Sequence, residues 1–289
     1  MHELIATCWT HAGDAAPMRD GERSPLDILD RVRVAADTGF AGFGIVYADL
    51  LVARETIGWE RLAREIRAAG FRHTEVEFLD DWWATGERRA ASDVKRGDLL
   101  AAAELLEARF VKVSGSMTEE PARDLLIDAF RGLCDDAERA GTRIALEPLP
   151  FTNFRTVPEG ARFVQDAGHP AGGVIIDVWH VFRAGQTPAD LLGAVAREHL
   201  FGAELNDALE PAPPADRLFA DTINARLPPG EGDWDIPGFV NALREIGYDG
   251  PWGVEIISEA HRALPLEEAL RVAFASGSAV LDEAHRRRP

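Results

Sequence analysis

Four acidic residues end four apolar runs, and their side chains are the strongest chemical signal in the chain. The runs are Ile144-Ala145-Leu146-Glu147, Val174-Ile175-Ile176-Asp177, Phe201-Gly202-Ala203-Glu204 and Trp252-Gly253-Val254-Glu255. A carboxylate at the end of a buried strand is costly unless its charge is compensated. Four in corresponding positions point to one shared compensator, and a divalent cation is the simplest. An all-oxygen set favours a hard ion, Mg²⁺ or Mn²⁺, with bonds of roughly 2.0–2.2 Å. Zinc would prefer some nitrogen or sulfur. The competing arrangement pairs these carboxylates with Arg143, Arg183 or Arg226, although runs this apolar supply few partners. His180 follows Asp177 by three residues, which places it just past the same strand and above such a metal. Arg226 lies in an irregular stretch, where it can clamp a substrate hydroxyl or phosphate or simply brace the loop. Trp9, Trp82, Trp83 and Trp179 lie near strand ends, and indole faces suit the apolar side of a sugar ring as well as ordinary packing.

Bringing these groups together is the task of the surrounding elements. A helix-period stretch ending at Gly and followed by a short apolar run recurs at Gly39, Gly70, Gly141 and Gly247. Glycine fits the left-handed residue that closes a helix, and short wholly apolar runs suit strands buried on both faces. Eight strands are expected, at about 4–9, 42–47, 74–79, 109–114, 143–148, 173–178, 200–205 and 252–257, with helices between them. Ser24-Pro25 reads as the start of a helix over 26–38, and Thr187-Pro188-Ala189-Asp190 as a capping box before 191–197. Asp235-Ile236-Pro237 opens a helix through Ile246, and the tail 286–289 reads as a frayed helix end. Strands alternating with helices imply parallel pairing, and eight such units close into a (β/α)8 TIM barrel, here a single domain over residues 1–289. An open doubly wound sheet is the alternative, weakened because no Gly-x-Gly-x-x-Gly follows the first strand. Barrel active sites lie at the C-terminal ends of the strands, where Glu147, Asp177, Glu204 and Glu255 fall on neighbouring strands five to eight. Their separations of 30, 27 and 51 residues match one strand–helix unit each, the last stretched by a Pro- and Gly-rich loop at about 208–232. Long ordered loops in compact domains usually serve function.

Composition bounds the partners. The 289-residue chain is 46% hydrophobic and carries a net charge of −18, from 31 Lys and Arg against 49 Asp and Glu. Such a surface repels phosphate backbones and anionic bilayers, so neither nucleic acid nor membrane is an expected partner. Cys8 and Cys134 are too few and too far apart for a disulfide framework or a thiolate metal site, which fits a reducing compartment. Residues 1–13 lack the features of a signal peptide, and no run of 18 apolar residues occurs. A cytoplasmic location is the expectation.

The chain resembles the sugar phosphate isomerase/epimerase superfamily, the xylose isomerase-like TIM barrels. The likeness is carried at the start by Ile5-Ala6-Thr7-Cys8-Trp9-Thr10, Ser24-Pro25 and the segment 35–40. At the end it is carried by Pro229-Gly230-Glu231-Gly232-Asp233-Trp234-Asp235, Gly247-Tyr248-Asp249-Gly250 and Val254-Glu255. The resemblance implies a divalent metal held by Glu147, Asp177, Glu204 and Glu255, with His180, Arg226, Trp9, Glu77 and Trp179 facing a carbohydrate substrate. It departs at Glu204, which opens Glu204-Leu205-Asn206-Asp207 where His-x-x-Asp is common. Either Glu204 ligates, keeping an all-carboxylate shell, or it has left the shell. The chemistry implied is proton abstraction next to the carbonyl of a ketose or sugar phosphate. A metal polarises the C=O, and Glu147 and Glu255 act as the two bases. A metal-dependent isomerase or epimerase is the leading reading. A lyase of the inosose or dehydroshikimate dehydratase kind, with Glu75, Glu77 or His180 as the acid, is the second. A degenerate sugar-binding barrel is the third, favoured by the change at Glu204. An endonuclease is disfavoured for want of several histidines and a basic groove. Oligomeric state stays open, with a homodimer through the rim the arrangement such relatives often adopt.

Overall fold

Runs that are apolar on both faces must be covered on both, and here helices pack on the outer face of a closed barrel whose strands are each paired at both edges by a parallel neighbour. The computed structural model describes residues 2–287. The strands are β1 (Leu4–Ala6), β2 (Gly42–Val46), β3 (His73–Leu79), β4 (Val111–Val113), β5 (Ile144–Leu146), β6 (Gly172–Asp177), β7 (Leu200–Leu205) and β8 (Trp252–Val254). They follow one another in order around a closed barrel, and β8 pairs with β1. The eight expected strands are therefore present, several of them shorter than the apolar runs. β1 ends at Ala6 because a 3-10 turn, Cys8–His11, turns the chain across the barrel mouth.

Side chains alternate across a strand, and the barrel sorts them by parity. Leu4, Val76, Val111, Leu146, Ile176 and Val254 belong to the main core between strands and helices. Phe110, Ala145, Ile175 and Phe201 form a separate small cluster. Two residues after Phe110, Ala145 and Ile175 stand Lys112, Glu147 and Asp177, so the same inward face carries the charged groups toward the strand ends. Glycine makes room where the ring is crowded: a Cβ on Gly253 would lie 2.7 Å from Glu204 Cγ.

Local signals are honoured with some differences. The first long helix is Ile28–Thr38, not 26–38. Asp27 caps it by accepting from the Leu29 and Asp30 amides, while the Ser24 hydroxyl is donated to the Ala12 carbonyl. Gly39 closes it with φ +109°. The Thr187/Asp190 capping box forms, but it starts only a 3-10 turn, Pro188–Leu191, and 192–196 continue without helix. Asp235 caps a helix over Ile236–Glu245 as expected. The segment 208–232 is more ordered than a loop, for it contains the helix Leu218–Asn224. The last helix, Leu266–Arg286, covers Arg286 of the expected tail, whereas Arg288 and Pro289 lie outside the described residues. Among the described residues no helix is long and apolar enough to cross a membrane.

Candidate metal centre and cavity

Glu147 and Glu255 directly follow β5 and β8, while Asp177 and Glu204 lie within β6 and β7, and all four are buried. One carboxylate oxygen from each falls within a common 4.8 Å. His180 Nδ1 or Nε2 joins Glu147 and Asp177 in a second such group. His180 is placed by the short helix Val178–Arg183, which Asp177 itself caps through the Trp179 amide at 2.6 Å. Asn206 Nδ2 donates to both Asp177 oxygens, at 3.1 and 3.0 Å.

Two buried cations enter the cluster. Arg226 Nη1 donates to Asp177 Oδ2 at 2.7 Å and to Glu255 Oε2 at 2.9 Å. Its backbone is clamped between antiparallel bridges, Ala225 to Ser258 and Leu227 to Asp207, so the segment from 208 onward returns to the barrel mouth to deliver it. Thr222 accepts from its Nε and Nη2, and the Trp179 ring stands 5.6 Å from its guanidinium carbon. Lys112, in the middle of β4, is the second cation. Its Nζ lies 2.8 and 3.0 Å from the two Glu204 oxygens, 2.8 Å from Glu77 Oε2 and 3.3 Å from Glu255 Oε1. Cys8 donates its thiol to the other Glu77 oxygen at 2.6 Å.

The pairing expected with arginine is thus realised by Arg226 alone among the three candidates. Arg143 lies over the Phe201 ring, and Arg183 pairs with Asp221 and faces Trp234. Lys112 was not anticipated, and it corrects the expectation that the apolar runs offer few partners. Its one sequence signal is a lysine inside Phe110-Val111-Lys112-Val113, with the parity of the inward face.

Five buried carboxylates, Glu77, Glu147, Asp177, Glu204 and Glu255, share two cations, so carboxylates outnumber cations by three. The protonation equilibria register this excess. Burial, opposed by Lys112 and reinforced by Glu255, lifts Glu147 to about 8. Glu204 is pushed up as well, by burial and by Glu255, against the pull of Lys112. Burial alone would depress Lys112, but the carboxylates outweigh it and hold the ammonium above the ordinary lysine range. Burial, Arg226 and Lys112 keep His180 well below its usual value, hence a neutral imidazole. Its Nε2 stands 3.4 Å from Arg226 Nη2, and its Nδ1 has no partner.

A divalent ion fits these residues. Adjacent oxygens around such an ion lie about 3 Å apart and opposite ones about 4.2 Å at bonds near 2.1 Å, within the spread of the cluster. Glu147 Oε1 is buried with no hydrogen-bond partner, and a dication would relieve most of the charge excess.

The cluster floors a cavity of about 480 Å³. Glu147, Glu255, Lys112, His180 and Arg226 reach its wall, with Glu77 and Trp9. Trp83, Phe151 and Phe219 supply apolar faces, and Ser114, Ser116 and Thr152 supply hydroxyls. Of the tryptophans near strand ends, Trp179 is fully buried behind Arg226 and Trp82 sits in the core, so neither faces a ligand. Glu75 is engaged by Arg109 at 2.5 Å and does not line the cavity.

A closed parallel barrel with an acidic cluster at the strand ends defines a class of α/β enzyme-type scaffolds able to hold a metal. The sequence profile of the xylose isomerase-like TIM barrel family matches residues 32–275, and the chain belongs to that family. A 3-dehydroshikimate dehydratase of Pseudomonas putida is 31% identical over 145 residues, 50% of this chain and 22% of that protein. An inosose isomerase of Bacillus subtilis is 26% identical over 159 residues, 54% of this chain and 55% of that protein. The chain therefore spans little more than half of the latter and under a quarter of the former. Among solved structures, one described as an IOLI protein with a bound zinc atom superposes with a TM-score of 0.84 at 18% identity, covering 98% of this chain and 99% of that one.

Proposed function

We propose that this protein is a metal-dependent isomerase or epimerase that moves a proton on the carbon next to the carbonyl of a small polyhydroxylated ketone. The observation that carries this reading is the convergence of Glu147, Asp177, Glu204 and Glu255 oxygens within 4.8 Å beneath a cavity of sugar-like size. The residues that would hold the ion are drawn from Glu147, Asp177, Glu204 and Glu255. When bound, a divalent cation supplies Lewis-acid polarisation of a carbonyl oxygen, and the oxygen-rich set favours Mg²⁺ or Mn²⁺.

The chain's own groups divide the proton work. Glu255 is ion-paired with Arg226 and Lys112 and is the carboxylate suited to take a proton. Glu147 faces the same space and, as a carboxylate in the metal-loaded protein, is the second base. Two carboxylates, supplied from the ends of β8 and β5, can take a proton from one carbon and return it there. Neutral His180 offers Nδ1–H or a lone pair to a substrate hydroxyl, according to its tautomer. Arg226 positions Glu255 and presents charge toward the same space. The aromatic faces at Trp9, Trp83 and Phe151 exclude water and suit the apolar face of a ring.

A dehydratase is the second reading, favoured by the 31% identity to 3-dehydroshikimate dehydratase. It shares the first step, and the carboxyl that took the proton there, or His180, would then protonate the departing hydroxyl. The test is incubation of the Mn²⁺-loaded protein in deuterated water with inososes, ketohexoses and 3-dehydroshikimate, followed by proton NMR. Deuterium at the carbon next to the carbonyl, without loss of water, is expected. Growth of an unsaturated product's ultraviolet absorbance would move the assignment to the dehydratase. No exchange and no product with any of these ketones would overturn both.

A further inference from the structure

Glu204 is the residue at which the chain departs from the pattern it resembles, and Lys112 is the unanticipated cation of the barrel interior. The two meet. Both Glu204 oxygens lie within 3.0 Å of Lys112 Nζ. The side chains reach one another across the lumen from β4 and β7, three strands apart in the ring. Space for this comes from Gly253, whose missing side chain leaves room for the Glu204 stem.

An ammonium has three protons. Here Glu77, Glu204 and Glu255 stand at 2.8, 2.8 and 3.3 Å, so each proton has an acceptor within the barrel. Lys112 has none left for a substrate. Glu77 in turn is held on its other oxygen by the Cys8 thiol. Glu204 is 1% exposed and, like Asp177, does not reach the cavity wall, but unlike Asp177 it has both oxygens on one ammonium. Glu147 Oε1, by contrast, is buried with no hydrogen-bond partner.

We propose that Lys112 is a positioning residue that holds Glu204 out of the metal shell, so that the ion is bound by Glu147, Asp177 and Glu255 alone. This rests on the metal-dependent reading above and deepens it. A fixed internal ion pair stands where a fourth protein ligand would be expected. With three protein ligands instead of four, a six-coordinate ion would have one further position for water or a substrate oxygen.

The direct test is a crystal structure of the wild-type protein soaked with Mn²⁺, the ion located by its anomalous signal. Oxygens of Glu147, Asp177 and Glu255 are expected at bonding distance, with Glu204 beyond 3 Å and still on Lys112. Calorimetry with Mn²⁺ gives a second reading. Lys112→Met removes a positive charge and frees Glu204, so affinity should rise by at least tenfold. The charge-neutral pair Lys112→Met/Glu204→Gln should bind Mn²⁺ no more than about threefold more weakly than wild type. A Glu204 oxygen bonded to Mn²⁺, or a hundredfold loss in the double variant, overturns this inference and leaves the proposed function standing. Failure of the wild-type protein to take up Mn²⁺ overturns the proposed function, and this inference with it.

Discussion

Glu147 shows how a single residue couples charge, stability and chemistry. Its folded-state value near 8 lies above the 4.5 of a free carboxyl, because burial and neighbouring carboxylates disfavour its anion. The folded state therefore holds this proton more tightly than the unfolded chain. Below pH 4.5 both states are protonated and nothing is lost. Between about 4.5 and 8 the unfolded chain ionises first, and stability falls as pH rises, by a few kcal/mol. Metal-free wild-type protein is expected to lose melting temperature across that window, and Glu147→Gln to lose much less. Equal pH profiles would remove Glu147 as the group responsible. For Glu255→Gln, proton exchange into substrate should drop by about 10²–10⁴ while the circular dichroism spectrum is unchanged. Wild-type exchange in that variant would take Glu255 out of the mechanism. The four strand-end carboxylates were legible because a charge ending an apolar run is anomalous in any buried strand. Lys112 was not, because a lysine between two valines faces inward only once the pairing of β4 is known. Trp179 was misplaced for a related reason: its position past β6 was readable, but the side of Arg226 on which it packs was not.

At the scale of elements, the return segment after β7 carries the site's arginine and is held by one buried carboxylate. Asp207 accepts from the Ala208, Gly230 and Trp234 amides and pairs its backbone with Leu227. Gly232 passes so close that a Cβ would lie 2.4 Å from both Asp207 Oδ1 and the Ala208 carbonyl oxygen. Gly232→Ala should therefore destabilise the protein by about 1–3 kcal/mol and raise KM as Arg226 loses its register, read by thermal unfolding and steady-state kinetics. Unchanged values would show that the turn does not position Arg226. The prolines at 211, 213, 214, 228 and 229 made the segment read as loop, and they masked the helix Leu218–Asn224 between them. The Thr187 box shows the opposite limit. A sound N-terminal signal formed, but the chain continued as a 3-10 turn because Gly193 at φ +75° breaks any helix beyond it. All eight strands are readable in place from their apolar runs, but β1 and β8 stop three residues short of those runs.

For the whole molecule, a net charge of −18 and an acidic interior work in the same direction. The surface field concentrates divalent cations near the barrel mouth, and added salt screens that long-range part while leaving the buried cluster little affected. Mn²⁺ association should slow as NaCl is raised from 50 to 500 mM, with a smaller change in the dissociation rate, in stopped-flow measurements. Equal salt dependence of both rates would contradict a buried site. The barrel matters here because it brings carboxylates 30, 27 and 51 residues apart into one cluster. Titration of metal-stripped protein with Mn²⁺ at pH 7, by calorimetry in two buffers of different ionisation enthalpy, reads that cluster directly. One ion bound per chain with net release of protons, as Glu147 gives up its own, is the predicted result. No uptake at millimolar Mn²⁺, or binding without proton release that is unchanged in Glu147→Gln, would contradict a dication among these carboxylates.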